Sequence, residues 1–382
     1  MDQAKPKPKL ETWAAVTVAF IGAVFFATLC SSMLPQTRAH DFLCFYTGGV
    51  LAKTDPSHLY DGAVQSKIEY QLAPEIPVVT PYVRPAFWAL LYIPLTWLSL
   101  KGAFAVWVGF GILTAFAIWY WAFRRFGSEA LVYCAFFVPL GFGIAHGQDT
   151  AFVTGIAILA FCALERGRKV LCGVLLAFLL WKFHLFLLVP VVLLLRKEWR
   201  ILAGYVPSAL FAIAISVAMA SPQSYIGLLR DPKFEAVHPS PELMVNVYAL
   251  AINFGVDYPI TRILLILGVL ATVVLMPKTA SADRWFWGAI AGGLLISPHT
   301  FGYDVAYLLA PILKNVCDAG AAPALRWISA LAVVPFPYFM TLLPMPFSAG
   351  PALLITVLFL AICWPEWFER RAVSTAPEGA LG

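Results

Sequence analysis

The stretch HDFLCFYTGGVLAKTDPSHLYDGAVQSKIEYQLAPEIPVVTPYVRP, His40 to Pro85, is a polar, aromatic-rich insert between apolar runs. Its first acid, Asp41, stands a few residues past one apolar run, Thr12–Leu34, and Pro85 opens another. A soluble domain carries roughly a quarter of its residues as charges. Here 61% of 382 residues are hydrophobic and only 12% charged. Apolar runs of about 20 residues, enough to cross a ~30 Å hydrocarbon core, recur along the chain. It reads as an all-α polytopic integral membrane protein, with the insert as its first, helical loop outside the membrane.

Orientation follows from the basic residues. Lys5, Lys7 and Lys9 precede Thr12–Leu34 and no A-x-A site follows it. That run therefore reads as a retained span with a cytoplasmic amino terminus, not as a cleaved signal. Asp41 then lies on the extracytoplasmic side, which is the periplasm in a Gram-negative cell. Arg166, Arg168 and Lys169 form one basic patch and Arg196, Lys197 and Arg200 another. The apolar stretch Val170–Leu195 between them is interrupted by Trp181-Lys182-Phe183-His184. If both patches are cytoplasmic, the stretch is a hairpin with Lys182 and His184 near its outer tip; the alternative is one long helix with a buried lysine.

The later loops follow the same alternation. Ile201–Ala220 and Trp285–Ser297 cross outward, Pro259–Met276 returns, and His299 and Asp304 come to the outer end. Three apolar runs between Pro85 and Ala145 would invert this order if all crossed. Pro85–Leu98 is short and holds Pro94, so it reads as re-entrant or interfacial. The sum is about 10–13 membrane segments. Residues 1–11 and 370–382 read as cytoplasmic tails around one membrane domain, 12–369, with outer loops at 35–84 and 221–258. The membrane is the plasma membrane, the inner one in a Gram-negative cell.

Other classes find no support. The net charge of +5 comes from short loops rather than one face, so nucleic acid is not a partner. Seven cysteines lie scattered without metal-ligand spacing, and there is no phosphate-binding loop, dinucleotide turn or H-E-x-x-H helix. Neither a cofactor nor a metal is expected.

The run DFLCFYTGGVLAKTDPSHLYD, Asp41–Asp61, resembles the first extracytoplasmic loop of glycosyltransferase family 87. Tyr82-Val83-Arg84-Pro85 is similar to that family's Tyr-Pro-Pro-like start of a span. Gly147-Gln148, a basic loop, the Lys182 hairpin tip and Ser297-Pro298-His299…Tyr303-Asp304 follow in the family's order. A single proline stands where two are usual, Asp149 where asparagine is frequent, and His184 where proline often follows the lysine. The resemblance implies a GT-C-type fold and transfer of a sugar, mannose most commonly, from a polyprenyl-phosphate donor to a lipid or glycan acceptor among membrane lipids.

That chemistry assigns roles. The acceptor hydroxyl needs a base opposite the leaving group, and the departing lipid phosphate needs cationic or hydrogen-bonding stabilisation. Asp41 is the candidate base, with a helix N-cap as its structural alternative. His299 shares the base role or bonds the acceptor, or else is an interfacial histidine. Lys182 and Arg84 are the candidates for the donor phosphate. Snorkelling to the interface is the alternative for Lys182, and an ordinary interfacial position that for Arg84. Tyr46, Tyr60, Gln148, His184 and Asp304 are candidate substrate contacts. Tyr46, Tyr60 and Asp61 also shape the insert, and Asp304 either orients His299 or caps a helix. Asp55 and His58 read as turn formers. Charges gathered at one face and the absence of internal repeats weigh against a secondary transporter or a lipid or glycan flippase. The larger first loop weighs against an O-antigen ligase or polymerase.

Overall fold

The computed structural model describes residues 13–18, 20–22, 24, 28, 40–74, 80–231 and 241–369. Residues 13–18, 20–22, 24 and 28 are helical; the rest of the expected first span, both tails and part of the 221–258 loop lie outside the described residues. No strand occurs among the described residues.

The insert folds as two helices, α1 (His40–Thr54) and α2 (Gly62–Leu72), and the chain then enters α3 (Ala86–Trp97), which is 3₁₀ from Leu90 onward. The Asp61 carboxylate starts α2 by accepting from the Ala63 and Val64 amides. Within the insert, α1 is rich in apolar residues and is no surface loop: Phe42 through Gly49 are all buried. It packs so closely against α3 and the segment before it that a Cβ on Gly48 would fall 2.5 Å from the Tyr82 ring, and one on Gly49 2.8 Å from Tyr92. Gly48-Gly49 is a contact surface, which only residues lacking a Cβ supply.

Next come α4 (Leu100–Phe126), α5 (Glu129–Phe136), α6 (Val138–Ala145), α7 (Thr150–Glu165), α8 (Lys169–Phe178), α9 (Leu188–Leu195) and α10 (Trp199–Met219). The carboxyl half holds α11 (Pro222–Leu229), α12 (Val247–Asn253), α13 (Pro259–Val274), α14 (Ala282–Ile296), α15 (Leu309–Cys317), α16 (Pro323–Val333) and α17 (Gly350–Cys363). Ser99 caps α4 by accepting from the Gly102 amide. By length and apolarity α4 and α10 qualify as membrane spans, and α16 makes a third if joined to Phe336–Leu342 across its 54° bend. Several other apolar runs are interrupted: Phe137 divides Ala130–Ala145, and Lys182 divides Val170–Leu195.

Phe110, Leu113, Phe116 and Tyr120 on α4 are exposed, as are Leu210, Phe211, Ile213 and Val217 on α10. Such stripes have no place on a soluble surface and fit a lipid-facing one. The chain is a helical membrane protein.

Ion pairs lock one end of the bundle. Arg125 at the end of α4 meets Glu165 at the end of α7, Lys169 at the start of α8 meets Glu198 just before α10, and Lys314 of α15 meets Asp283 of α14. Arg284 pairs with Glu366 close by α17. The Lys169–Glu198 contact of 2.7 Å brings the two flanks of Val170–Leu195 side by side, so the chain turns back at the Lys182 break. The opposite end gathers the start of α7, the break at Lys182, the end of α14 and the 3₁₀ turn Gly302–Leu308.

Candidate functional site

At that opposite end, four charged side chains share the interior. Lys182 has φ −111° and ψ 46°, outside the helical region, and this break turns its side chain inward, where it is 2% exposed. Its Nζ lies 2.9 Å from Asp149 Oδ1 and donates to Asp304 Oδ1 at 3.0 Å and to Tyr307 Oη at 2.7 Å. Two hydrogen bonds and one close ion pair thus engage the ammonium. An unpaired cation so deeply buried would be costly, whereas a paired one persists. Lys182 therefore does not snorkel.

Both Asp304 oxygens are in use: Oδ2 accepts from the Phe301 amide at 2.9 Å, and Oδ1 also accepts from the Tyr307 hydroxyl at 2.7 Å. Its helix-capping role is thus realised, together with a charge role that the sequence does not show. Asp149 stands at the N-cap of α7 but makes no side-chain cap bond. Its carboxylate, fully buried, serves the cations instead, with Arg84 Nη2 3.5 Å from Oδ2.

Arg84 is buried against the Phe45 ring, and its Nη2 donates to Gln148 Oε1 at 3.3 Å. The Gly147-Gln148 turn is built for this. Gly147 has φ 70°, a left-handed value, and a Cβ there would lie 2.7 Å from Phe42. Its carbonyl accepts from Trp107 Nε1 at 2.8 Å. The Tyr60 hydroxyl donates to the Arg84 carbonyl at 2.9 Å, and the Tyr46 hydroxyl to Leu98 O at 2.8 Å. Both tyrosine hydroxyls bind backbone and hold the insert in place.

Rings form an arc beside the charged group. His184 and His299 lie 6.1 Å apart, His299 and Phe301 4.9 Å, Phe301 and Tyr303 5.1 Å, and Tyr303 and His146 6.5 Å, centroid to centroid. Lys182 Nζ is 5.4 Å from the centres of Tyr303 and Tyr307. Asp41 sits partly exposed in the first turn of α1, inside the helix rather than at its cap, and the next residue, Phe42, packs against Gly147 of the Gly147-Gln148 turn. Asp41, Arg84, Gln148, Lys182, His184, His299 and Asp304 thus belong to one neighbourhood.

Asp55 and His58 do not; they meet at 2.7 Å in an exposed turn, where hydrogen bonds from Ser57 and His58 hold the Asp55 carboxyl below its usual range. Glu69 of α2 is buried at 1% exposure, and burial pushes its carboxyl up to about 8 despite the facing Thr80 amide.

Next to the charged group lies an apolar groove of about 340 Å³, lined by Tyr60, Pro85, Phe87, Leu180, Phe183 and Tyr225 among others. Pro85 and Phe183, which line the groove, each follow one of the two cations in the sequence. No cluster of metal-ligating side chains occurs among the described residues.

A family model described as Glycosyltransferase family 87 matches residues 82–298, more than half of the chain. The chain belongs to glycosyltransferase family 87. It is therefore a membrane glycosyltransferase rather than a transporter or flippase. No curated protein and no solved structure matches it. The family 87 match takes in Arg84, Gln148, Asp149, Lys182 and His184; Asp41, Tyr46, Tyr60, His299 and Asp304 lie outside it.

Sequence reasoning about this glycosyltransferase missed Asp149 as a partner of both cations, and it missed Tyr303, Tyr307, His146 and Glu69. A signal existed for Asp149, because a lysine inside an apolar hairpin requires a carboxylate somewhere. His146 stands two residues before Gln148, yet the pattern gave no reason to place it beside Tyr303.

Proposed function

We propose that this glycosyltransferase moves a sugar, mannose in the first instance, from a polyprenyl-phosphate donor to a lipid or glycan acceptor at the extracytoplasmic face of the plasma membrane. The observation that supports the reading is the apolar groove lined by Pro85 and Phe183, the residues that follow Arg84 and Lys182 in the sequence. A lipid chain in the groove brings its phosphate to buried cations, and a partly exposed carboxylate, Asp41, stands in the same neighbourhood.

Asp41 takes the proton of the acceptor hydroxyl as its oxygen bonds the anomeric carbon. The bond from that carbon to the phosphate oxygen breaks on the opposite side, with inversion, and polyprenyl phosphate leaves. Of the two cations, Arg84 makes the direct phosphate contact: its one side-chain hydrogen bond among the described residues is long, 3.3 Å, and an arginine carries five N–H donors. Lys182, with its donors taken, fixes Asp149 and Asp304 and reaches the phosphate only by releasing one of them. His299 and His184 border the sugar, with Gln148, Tyr46, Tyr60 and Asp304 shaping the surroundings. The enzyme has a GT-C-type architecture of about 10–13 membrane segments, and both termini and the ion-paired end are cytoplasmic.

The test uses purified protein in detergent with radiolabelled polyprenyl-phosphate mannose, a matching arabinofuranose donor, and a polyprenyl-diphosphate sugar. Label transfer from a monophosphate donor, lost about 10²-fold or more in a folded Asp41→Asn protein, is the expected outcome. Transfer from the diphosphate donor alone overturns the donor assignment. Full turnover in Asp41→Asn removes Asp41 from the base role and gives it to His299.

A further inference from the structure

The ion-paired end of the bundle, remote from the residues above, carries a second site. Two adjoining cavities open there, of about 520 Å³ and 130 Å³, and both are bordered by Trp121, Arg125 and Glu165. The larger one is also lined by Arg124 and Arg166, so three guanidinium groups face one carboxylate. The Glu165 carboxylate is engaged with Arg125 at 2.5 Å. Arg124 leans on the Tyr120 ring and donates to its hydroxyl at 3.1 Å, which sets its guanidinium at the rim. The Arg166 side chain makes no hydrogen bond or ion pair among the described residues and is exposed. The excess of two positive charges in a concave site calls for an anion.

The surroundings say which anion. Phe116, Tyr120 and Phe123 run down the exposed face of α4 to Arg124, and Leu159 is exposed on α7 above Glu165. Acyl chains lie along such a face, and a headgroup at its end meets the arginines. We propose that this cavity binds the phosphodiester headgroup of an anionic diacyl lipid, with Arg124 and Arg166 as the direct contacts and Arg125 held in reserve by Glu165. The site is independent of the sugar-transfer reading, because none of its residues touches the Arg84–Asp149–Lys182–Asp304 group.

The full chain reconstituted in nanodiscs of phosphatidylcholine containing a small fraction of phosphatidylglycerol, then extracted mildly and examined by native mass spectrometry, reads the bound lipid directly. Retained phosphatidylglycerol should fall about fivefold for each of Arg124→Gln and Arg166→Gln, and about 30-fold in the double variant. Glu165→Gln should raise retention by releasing Arg125, an opposite change that loss of folding cannot imitate. Arg168→Gln with Arg200→Gln, removing equal charge from the same end, should leave retention unchanged. An equal loss in that control, or no loss in the Arg124/Arg166 double variant, overturns the proposal. Millimolar inorganic phosphate should not displace the lipid; if it does so fully, the site recognises a free anion and the lipid assignment fails.

Discussion

Replacing Lys182 by methionine preserves the length and apolar stem of the side chain and removes only the ammonium. That group meets Asp149 at 2.9 Å, Asp304 at 3.0 Å and Tyr307 at 2.7 Å. Without it two carboxylates face each other in the interior. Asp149 keeps only Arg84, at 3.5 Å, while Asp304 keeps the Phe301 amide and the Tyr307 hydroxyl. Removing one partner from a buried ion pair costs about 3–5 kcal/mol, and a loss of that size is expected for Lys182→Met. Asp304→Asn alone removes a charge but leaves Lys182 with Asp149, so it should cost about 1–3 kcal/mol. Combining the two removes cation and anion together, and the double variant should be more stable than the sum of the singles by about 2 kcal/mol, within the range seen for directly coupled residues. Unfolding midpoints in a denaturing-detergent titration of the purified protein measure all four corners of the cycle. A Lys182→Met protein within about 1 kcal/mol of wild type, together with additive singles, refutes the view that this ammonium holds the buried carboxylates.

Arg84→Met should raise the apparent donor constant about 10- to 100-fold, the worth of one charge-assisted contact of roughly 1.5–3 kcal/mol, in donor titrations at saturating acceptor; an unchanged constant moves the phosphate away from Arg84. Glu69 has its carboxyl pushed from 4.5 up to about 8 in the fold. Its neutral form is therefore the stabilised one, fully present below about pH 4.5 and lost as pH rises through about 8. Glu69→Gln should flatten the stability profile across that window, and an unchanged slope in unfolding curves at successive pH values counts against the burial argument. A single cysteine at Ser57, in the exposed turn of the insert, should react with an impermeant reagent in intact cells, and one at Arg168 only after lysis; the reverse pattern inverts the proposed orientation.

Composition was enough to read a helical membrane protein, and the basic patches with the Trp181–His184 interruption were enough to place a turn at Lys182. Periodicity failed where burial was tertiary. The insert as a whole reads as a polar outer loop, yet Gly48 and Gly49 let α1 sink against Tyr82 and Tyr92, a fit that no local pattern encodes. The same limit hid the charged group. Lys182 finds Asp304 across 122 residues and Tyr307 across 125, separations at which a single chain read in order carries no pairing information. Asp149 was visible only as a departure from a family habit, and Glu69 looked like an ordinary polar residue of an amphipathic helix. Charge placement in the loops depends on sequence alone, and it put Lys182 and His299 at one end, where the His184 and His299 rings lie 6.1 Å apart.

The two helices whose ends frame the charged group are short. At 1.5 Å per residue, the 16 residues of α7 and the 15 of α14 measure only about 22–24 Å, against roughly 30 Å for a typical hydrocarbon core. Their far ends are pinned by ion pairs at the other surface, so the shortfall falls entirely on the side of Lys182 and Asp304. On the proposed orientation the group then lies about 6–8 Å below the level of a typical hydrocarbon surface, inside the bundle, because α14 is buried along most of its length. For the proposed reaction, water reaching that depth within the bundle lets a polar acceptor descend to the reacting carbon while the lipid phosphate stays level with its neighbours. It also ties the enzyme to bilayer thickness, with short-chain lipids favouring the wetted state and long-chain or sterol-thickened membranes opposing it.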